Sequence, residues 1–239
     1  MNKKLLIAAF ALMLTATAFA QTEADFNVTL TADGTGVVIT GYTGRTAQVR
    51  IPATIQGMPV RVIGEWAFAR SNTNATITSV VIPQGVTTIG RNAFAGAERL
   101  ASVTIPEGVT EIGREAFAAT TALTAITLPQ SLTTLGDGAF MDGSGLRTIT
   151  FPDSLTSIGD MMFWGFPSAL TAVTLPASIR YISASAFVGC SALTTVTIPA
   201  SVERIEFGKG ISGSSFSGCS SLNLASQAAL RRVGYTGEF

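Results

Sequence analysis

The sequence predicts a repeat solenoid, an arc of about seven coils of 23 residues in which a parallel β-sheet is combined with short helical turns. Two observations predict this fold. First, a pair made of an apolar residue and proline recurs at spacings of 31, 23, 23, 23, 24 and 23 residues. Second, a phenylalanine follows most of these prolines by 11 residues. A fixed period in this range is typical of a solenoid, because one unit cannot bury its apolar face alone and must stack on its neighbours.

Three columns of residues align the units. The apolar-proline pairs are Ile51-Pro52, Ile82-Pro83, Ile105-Pro106, Leu128-Pro129, Phe151-Pro152, Leu175-Pro176 and Ile198-Pro199. The phenylalanines are Phe94, Phe117, Phe140, Phe163 and Phe187, with Phe68 and Phe216 fitting once short insertions are allowed. The leucines are Leu100, Leu123, Leu146, Leu170, Leu193 and Leu222. The repeated unit is therefore P-x-x-V-x-x-I-G-x-x-A-F-x(5)-L-x-x-V-T-I-P.

The segment before each proline predicts a strand. It alternates with period two and is rich in β-branched residues, and proline then ends it. In one representative unit we expect Leu100, Val103 and Ile105 to face inward and Ser102 and Thr104 to face solvent. Stacked coils place such strands in one parallel sheet.

The segment after each proline predicts a second, shorter strand and a bend. Val109 and Ile112 form the apolar pair of that strand in one unit. The following residues 113–118 (GREAFA) indicate a single helical turn that buries Phe117, with Gly113 making the bend.

Both ends of the repeat array are atypical, as solenoid caps are. Residues 25–50 contain two alternating runs separated by Ala-Asp-Gly-Thr-Gly, which predicts a β-hairpin. Residues 225–233 have a helix-forming composition with two arginines in the last turn, which predicts a short helix. The predicted organisation is a signal peptide at 1–20, an N-terminal β cap at 21–50, the solenoid at 51–224 and a C-terminal cap at 225–239.

The first twenty residues are typical of a secretory signal peptide. Lys3 and Lys4 precede an apolar run, and the small-residue triplet ending at Ala20 predicts cleavage before Gln21. The apolar run is shorter than the roughly 20 residues that a membrane span requires. We therefore expect export, with no membrane span and no lipid anchor on an N-terminal cysteine.

Composition excludes several function classes. The chain has 15 basic and 15 acidic residues and only 13% charged residues, so it lacks the basic patch that nucleic-acid binding requires. It contains no histidine, the commonest general base near neutral pH and the commonest metal ligand. We expect no nucleic-acid partner, no cofactor, no metal and no catalytic residues.

The repeated motifs IGRNAF (89–94), IGREAF (112–117) and LGDGAF (135–140), each followed by an L-x-x-V-T-I-P type segment, resemble the BspA-like leucine-rich repeat proteins, also called the Treponema pallidum type. The resemblance covers nearly all of the chain after the signal peptide. It implies a leucine-rich-repeat arc and an exported or surface protein, in several members an adhesin, with no catalytic residues tied to the repeat. Ser183 in place of glycine, Met162 in place of alanine and an enlarged last coil at residues 206–214 depart from the pattern.

The solvent side of the main sheet is the first candidate binding site. One column contains Thr104, Thr127, Thr150, Thr174 and Thr197. Beside it run Ser102, Ala125, Thr148, Ala172 and Thr195. High β-propensity explains threonine there equally well. Such regular rows are also similar to those of ice-binding solenoids, which is a further alternative.

The aromatic segment MMFWGFP (161–167) is the second candidate site. Phe163 belongs to the core column, while Trp164 and Phe166 are the residue types that dominate binding hot spots when exposed. The alternative interpretation is a local adjustment of the core around Met162.

Three further motifs have a chemical and a structural interpretation. Asp137 and Asp160 share a column with Arg91 and Arg114, which suggests either a catalytic carboxylate pair or a solvated row of charges. Residues 208–213 match G-x-G-x-x-G but lie in an insertion, so a loop is favoured over a dinucleotide site. Cys190 and Cys219 fall in a column of small residues, and a disulfide and two buried thiols both stay open.

The residues predict an exported protein with a rigid, extended surface and no catalytic apparatus. The family resemblance implies that this protein binds a protein or glycan, from a host or from microbes, outside the cell. A periplasmic or envelope scaffold that binds the cell's own components is the first alternative. A carboxylate-dependent glycan hydrolase is the second. The oligomeric state and the choice between surface, secreted and periplasmic location stay open.

Overall fold

A computed structural model describes residues 22–69, 76–143, 145–165, 169–206 and 214–239. It shows a solenoid of about seven turns with mostly parallel sheets and little helix, which confirms the predicted fold class. The predicted signal peptide at 1–20, Phe166 and the glycine motif at 208–213 lie outside the described residues.

The described part of the chain begins with an antiparallel hairpin where the alternating runs predict one. A one-turn 3-10 helix (Glu23–Asp25) leads into β1 (Phe26–Leu30), which pairs with β2 (Val37–Tyr42). Asp33 organises the connecting turn, because its carboxylate accepts hydrogen bonds from the hydroxyls of Thr31 at 2.6 Å and Thr35 at 2.8 Å. These hydrogen bonds, that from Thr31 first, lower the pKa of Asp33 to about 2.

The main sheet takes one three-residue strand from each coil. Its strands are β3 (Gln48–Arg50), β6 (Ser79–Val81), β8 (Ser102–Thr104), β10 (Ala125–Thr127), β12 (Thr148–Thr150), β14 (Ala172–Thr174) and β16 (Thr195–Thr197). All pairings are parallel and in register, so each position forms a column along the solenoid. The central residue of each strand faces the core and the two flanking residues face outward.

The second sheet follows the prolines. It contains β4 (Thr54–Ile55), β5 (Met58–Ile63), β7 (Thr88–Ile89), β9 (Glu111–Ile112), β11 (Thr134–Leu135), β13 (Ser157–Ile158), β15 (Tyr181–Ile182) and β17 (Arg204–Ile205). β2 of the hairpin pairs in parallel with β5, so the hairpin is continuous with this sheet. β4 alone among the later strands is antiparallel, turning back onto β5 through Gln56 and Gly57 at positive φ.

The predicted helical turn is a chain of hydrogen-bonded turns rather than a helix. In the unit that contains Phe117, Ala116 donates to the Gly113 carbonyl and Ala118 donates to the Glu115 carbonyl. Glu115 itself has a φ of 55°, in the left-handed region, which ends any helical path. Phe117 N–H then donates to the carbonyl of Ala139 in the next coil, at 2.9 Å. These turns therefore form a third ladder of hydrogen bonds between coils, which we call the turn ladder. In it the N–H groups of the earlier coil donate to carbonyls of the next coil.

The core contains one continuous column of aromatic rings. The phenylalanines of consecutive coils stack face to face: the Phe94 and Phe117 centroids are 5.1 Å apart with an interplanar angle of 2°. The column runs through Phe26, Tyr42, Phe68, Phe94, Phe117, Phe140, Phe163, Phe187, Phe216, Tyr235 and Phe239. Stacking ends at Tyr235, which meets Phe216 edge-on at 84°.

Near its C-terminus the chain forms helix α1 (Leu224–Arg232), close to the predicted 225–233. Asn223 is its N-cap and accepts a hydrogen bond from the N–H of Ser226 at 2.8 Å. The hydroxyl of Ser226 accepts in turn from the N–H of Val196 in β16, at 3.0 Å. The helix therefore supplies a hydrogen-bond acceptor to the last main-sheet strand, β16, on the side where no further strand of the described chain pairs with it. Among the described residues, no helix has both the length and the apolar character that crossing a membrane requires.

Strand pairing between described coils is interrupted at three points. The main sheet divides between β8 and β10 and again between β12 and β14. The second sheet divides between β11 and β13. Ser178, just after the second main-sheet break, is the one buried side-chain oxygen without a hydrogen-bond partner among the described residues. Its counterpart Ser201 donates to the preceding coil's Ile179 carbonyl at 2.8 Å, so coil spacing is less regular around the break.

Candidate binding surface

The outward positions of the main sheet form an exposed surface, which we call the sheet face. It has seven rows of two residues each. The rows are Gln48 with Arg50, Ser79 with Val81, Ser102 with Thr104, Ala125 with Thr127, Thr148 with Thr150, Ala172 with Thr174, and Thr195 with Thr197. Arg50 is the only charged residue in these rows. The five predicted threonines are all exposed and lie in one column, as the strand alternation predicts.

Strand register aligns the threonines within each block of paired strands. Thr127 lies directly opposite Thr150, and Thr174 lies opposite Thr197. Thr104 lies opposite Val81. The column is therefore regular within blocks, and the two breaks divide it between Thr104 and Thr127 and between Thr150 and Thr174.

Below the sheet face, one strand is less buried than the others. The central residues of the other main-sheet strands are buried, for example Ile126 at 5% and Val173 at 1% exposure. Val103 and Ile105 are only partly buried, but both pack against the core, in agreement with the predicted inward orientation. Their strand β8 has no paired strand on the side of β10.

Each break in the main sheet coincides with a shallow cleft. The first cleft, of about 390 Å³, lies between β8 and β10. The second, of about 360 Å³, lies between β12 and β14. A third depression of about 210 Å³ lies between the paired strands β3 and β6. Sequence analysis missed these clefts, although the downstream strand of each break has alanine, Ala125 or Ala172, where β12 and β16 have threonine.

A carboxylate lies at the rim of each of the first two clefts. Glu107 lines the first cleft and Asp153 lines the second. The carboxylate of Glu107 accepts the backbone N–H groups of Gln130 at 3.0 Å and Ser131 at 3.2 Å, which holds it in place. The oxygens of a carboxylate can accept further hydrogen bonds, so a held carboxylate can still receive a ligand donor.

The aromatic candidate site belongs to another part of the coil. Trp164 is 37% exposed and lies in the turn ladder, where its carbonyl accepts from the N–H of Asp142. Phe163 is buried in the aromatic column and Met162 is fully buried, as the core-adjustment interpretation predicts. The structure therefore places Trp164 outside the main sheet, and Phe166 is not described.

Two exposed aromatic residues were not singled out by sequence analysis. Trp66, in the first turn of the ladder, is 43% exposed and has a φ of 60°. Tyr181, on β15, is 45% exposed, and its hydroxyl donates to Glu203 at 3.3 Å. Trp66 could have been found, because it precedes Ala67-Phe68 at the position where most other coils have small or polar residues, such as Asn92, Glu115 and Gly138.

Asp137 and Asp160, which are predicted to share a column, each accept a hydrogen bond from a backbone N–H group. Asp137 Oδ1 accepts the N–H of Asp160 at 2.8 Å, and Asp160 Oδ1 accepts the N–H of Met161 at 2.9 Å. This contact bridges the break between β11 and β13. Burial, with a smaller contribution from the charge of Asp137, raises the pKa of Asp160. The arrangement can stabilise the gap between two coils. It gives no direct support to a pair that acts on a substrate.

Other titratable groups do not form a further site. Cys190 and Cys219 are buried thiols that are not joined by a disulfide. Each donates to the backbone carbonyl of the phenylalanine one coil earlier, Phe163 at 3.5 Å and Phe187 at 3.2 Å. Within the described ranges, no group of three metal-ligating side chains is close enough to hold an ion.

Comparison with protein families identifies the repeat. The family model described as "BspA type Leucine rich repeat region" matches residues 61–168 and 166–234, in six copies. No curated protein sequence matches the chain.

Solved structures agree with this match. A leucine-rich repeat protein of T. pallidum (TpLRR) is 31% identical, with a TM-score of 0.83 over 92% of this chain and 98% of its own. A leucine-rich repeat protein of Bacteroides ovatus is 25% identical, with a TM-score of 0.56 over 77% of this chain and 54% of its own. One of Eubacterium ventriosum, at 20% identity and a TM-score of 0.52 over 81% of this chain and 52% of its own, shares the fold.

Proposed function

Because the chain belongs to the BspA-type leucine-rich repeat family, we propose that it is an exported, non-enzymatic binding protein. Its sheet face holds a protein or glycan partner outside the cell. The family supports a repeat-based binding scaffold in general. The proposal adds export, an extracellular partner and the particular surface.

One observation carries the choice of surface. The sheet face exposes seven rows of mostly small, hydroxyl-bearing side chains with a single charged residue, Arg50. Such side chains lose little rotamer entropy when they are covered, and hydroxyls can donate or accept hydrogen bonds. Their backbone is fixed by the parallel sheet and by the ring column beneath it. A preorganised surface loses less free energy on binding than a flexible one.

Export is supported by the signal-peptide pattern of residues 1–20. A cleaved signal peptide would leave a chain that begins at Gln21, just before the described hairpin. Protease treatment of intact cells tests the location: release of fragments of this chain is the expected result. Protection in intact cells, with digestion after the envelope is opened, would replace surface binding with the periplasmic scaffold.

Binding is tested with the chain from Gln21 to Phe239 against immobilised, purified plasma and extracellular-matrix proteins and a glycan array. We expect saturable binding to at least one member. A chain that binds nothing on either panel, while folded by circular dichroism, would contradict the proposed function.

A further inference from the structure

The two clefts of the sheet face have matching linings. Each cleft lies at a break in the main sheet, and equivalent repeat positions line both. The matching pairs are Ser102 and Thr148, Val103 and Ile149, Thr104 and Thr150, Ile105 and Phe151, Glu107 and Asp153, Ala125 and Ala172, Thr127 and Thr174, and Pro129 and Pro176. The same site is therefore built twice on one surface.

The lining of each cleft combines three kinds of group. An exposed threonine lies on each side of the gap, Thr104 and Thr127 in the first cleft and Thr150 and Thr174 in the second. A carboxylate lies at the rim. An alanine occupies the downstream strand of each cleft, where β12 and β16 have threonine, so its small side chain leaves the gap open. Hydroxyl and carboxylate groups above an apolar floor suit a ligand that has many hydroxyls and an apolar ring face.

The clefts are two coils apart along the solenoid. At the paired-strand spacing of about 4.8 Å, two coils correspond to roughly 10 Å as a minimum, since each cleft lies at an unpaired step. This distance is close to the length of one disaccharide unit in an extended, 1,4-linked glycan. A linear glycan lying along the sheet face would therefore present equivalent groups to both clefts.

Charge and aromatic content narrow the ligand class further. The clefts contain carboxylates and no basic residue, so an anionic glycan would be repelled. A polyproline II peptide, with a turn of about 9.3 Å, has a similar repeat. Such peptides dock in grooves lined by exposed aromatic rings. The one aromatic lining residue, Phe151, is only 6% exposed, so the lining favours a glycan.

We propose that the two clefts, between β8 and β10 and between β12 and β14, are consecutive subsites for one neutral linear glycan, each taking one disaccharide unit. The proposal rests on the proposed function and names its partner class. Thr104, Thr127, Thr150 and Thr174 hydrogen-bond the sugar hydroxyls, and Glu107 and Asp153 accept hydrogen bonds from them at the rim.

The test uses calorimetric titration of the chain with neutral oligosaccharides of two, four and six sugars. The series are β-1,4-linked glucose, xylose, mannose and N-acetylglucosamine. In the series that binds, the tetrasaccharide should bind at least about tenfold more tightly than the disaccharide, because the second unit binds intramolecularly. The hexasaccharide should add little, since the main sheet has no third break in the described coils.

Filling the clefts gives the decisive variants. Ala125→Phe fills the first cleft and Ala172→Phe fills the second, and both positions are exposed, so the fold should tolerate the ring. In each single variant the tetrasaccharide should bind no more tightly than the disaccharide. In the double variant the affinity for both ligands should fall at least about tenfold. Thr134→Phe on β11 adds the same ring to the second sheet and should bind like the wild type.

Several results would overturn the subsites. They are double-variant binding equal to wild type, binding restricted to sulfated glycans, and binding of a proline-rich peptide instead of sugar at the clefts. If an immobilised protein binds the chain while no neutral glycan does, the proposed function stands and the glycan subsites are wrong. If neither binds, both proposals fail.

Discussion

At the residue scale, one glycine column is set by the close approach of neighbouring coils. A Cβ placed on Gly113 would lie 2.6 Å from the backbone nitrogen of Arg91, and one on Gly136 would overlap that of Arg114. Gly159 differs: its Cβ would lie 3.6 Å from the backbone nitrogen of Asp137. Coils are therefore farther apart at the β11–β13 break. The glycine in the repeat motif could be predicted from sequence, but its steric reason and its exception could not.

Alanine substitution should destabilise the fold more at Gly113 than at Gly159. Gly113→Ala forces backbone against backbone and should lower the free energy of unfolding by about 1–3 kcal/mol. Gly159→Ala meets the Asp137 side chain instead, 2.6 Å from Oδ1. That carboxylate can rotate away at the loss of its hydrogen bond to the Asp160 N–H, so the variant should cost at least about 1 kcal/mol less than Gly113→Ala. Urea unfolding of the two variants, compared with wild type, measures both values. Equal losses would contradict the wider spacing at the break.

The buried thiol of Cys219 makes stability depend on pH. Burial, followed by the proximity of Cys190, raises the pKa of Cys219. The unfolded thiol ionises above its ordinary pKa of about 8.5, while the folded thiol keeps its proton, so the unfolded state binds fewer protons. Stability is therefore complete below about pH 8 and falls as the pH rises beyond that. Urea unfolding at neutral and alkaline pH should show this decline, and Cys219→Ala should reduce its slope.

The same thiols should resist labelling in the folded chain. Iodoacetamide should modify neither cysteine under native conditions near neutral pH and both of the chain's cysteines in denaturant. Mass spectrometry counts the adducts. Labelling that needs a reductant in denaturant would show a disulfide and contradict the structure. Sequence alone left this choice open, because cysteine spacing does not report whether two thiols can reach each other.

At the element scale, helix α1 completes the last strand of the main sheet. Ser226→Ala removes the acceptor of the Val196 N–H, a buried bond of 3.0 Å. Leaving a buried donor without a partner costs about 1–3 kcal/mol, so the free energy of unfolding should fall by that amount. Ser221→Ala, an exposed position just before the helix, is the matched control and should change it by less than about 0.5 kcal/mol. Equal stability of the two variants would show that α1 does not cap β16.

The strands were predictable from sequence and the breaks between them were not. Alternation in segments such as 100–105 places Leu100 inside and Thr104 outside, as the structure shows. Whether β8 pairs with β10 depends on small changes in coil spacing that the repeat columns do not encode. The turns differ from the predicted helical turn for a local reason. Glu115 adopts a positive φ, which residue preferences do not predict for glutamate.

At the scale of the whole molecule, the aromatic column links all the described coils. Phe117 stacks on Phe94 at 5.1 Å and on Phe140 at 5.8 Å. Phe117→Ala should therefore cost about 3–5 kcal/mol and divide the solenoid into halves that unfold separately, because coils contact only their neighbours. Phe239→Ala, at the end of the column, should cost less and keep one transition. Calorimetry of both variants measures the number of transitions, and a single transition in Phe117→Ala would contradict the divided unfolding.

The whole solenoid could be predicted from the period of the sequence. For the candidate binding surface, the sequence predicts only which residues share an outward-facing column. The phenylalanine spacing predicts a continuous core, and the structure shows ring contacts from Phe26 to Phe239, with stacking from Tyr42 to Phe216. The threonine column is exposed as predicted. Only the structure shows the clefts that divide this column and the position of Glu107 and Asp153 at their rims.

The most direct test of the account is whether a partner binds through the sheet face. Affinity should be measured by biolayer interferometry for any panel member that the wild-type chain binds. Thr104→Lys with Thr150→Lys places two charges on the sheet face, where covering them is costly, and should weaken binding at least about tenfold. Thr134→Lys with Ser157→Lys adds the same charge to the second sheet and should leave affinity unchanged. Loss of binding in the second-sheet variant, with the sheet-face variant unaffected, would contradict the account.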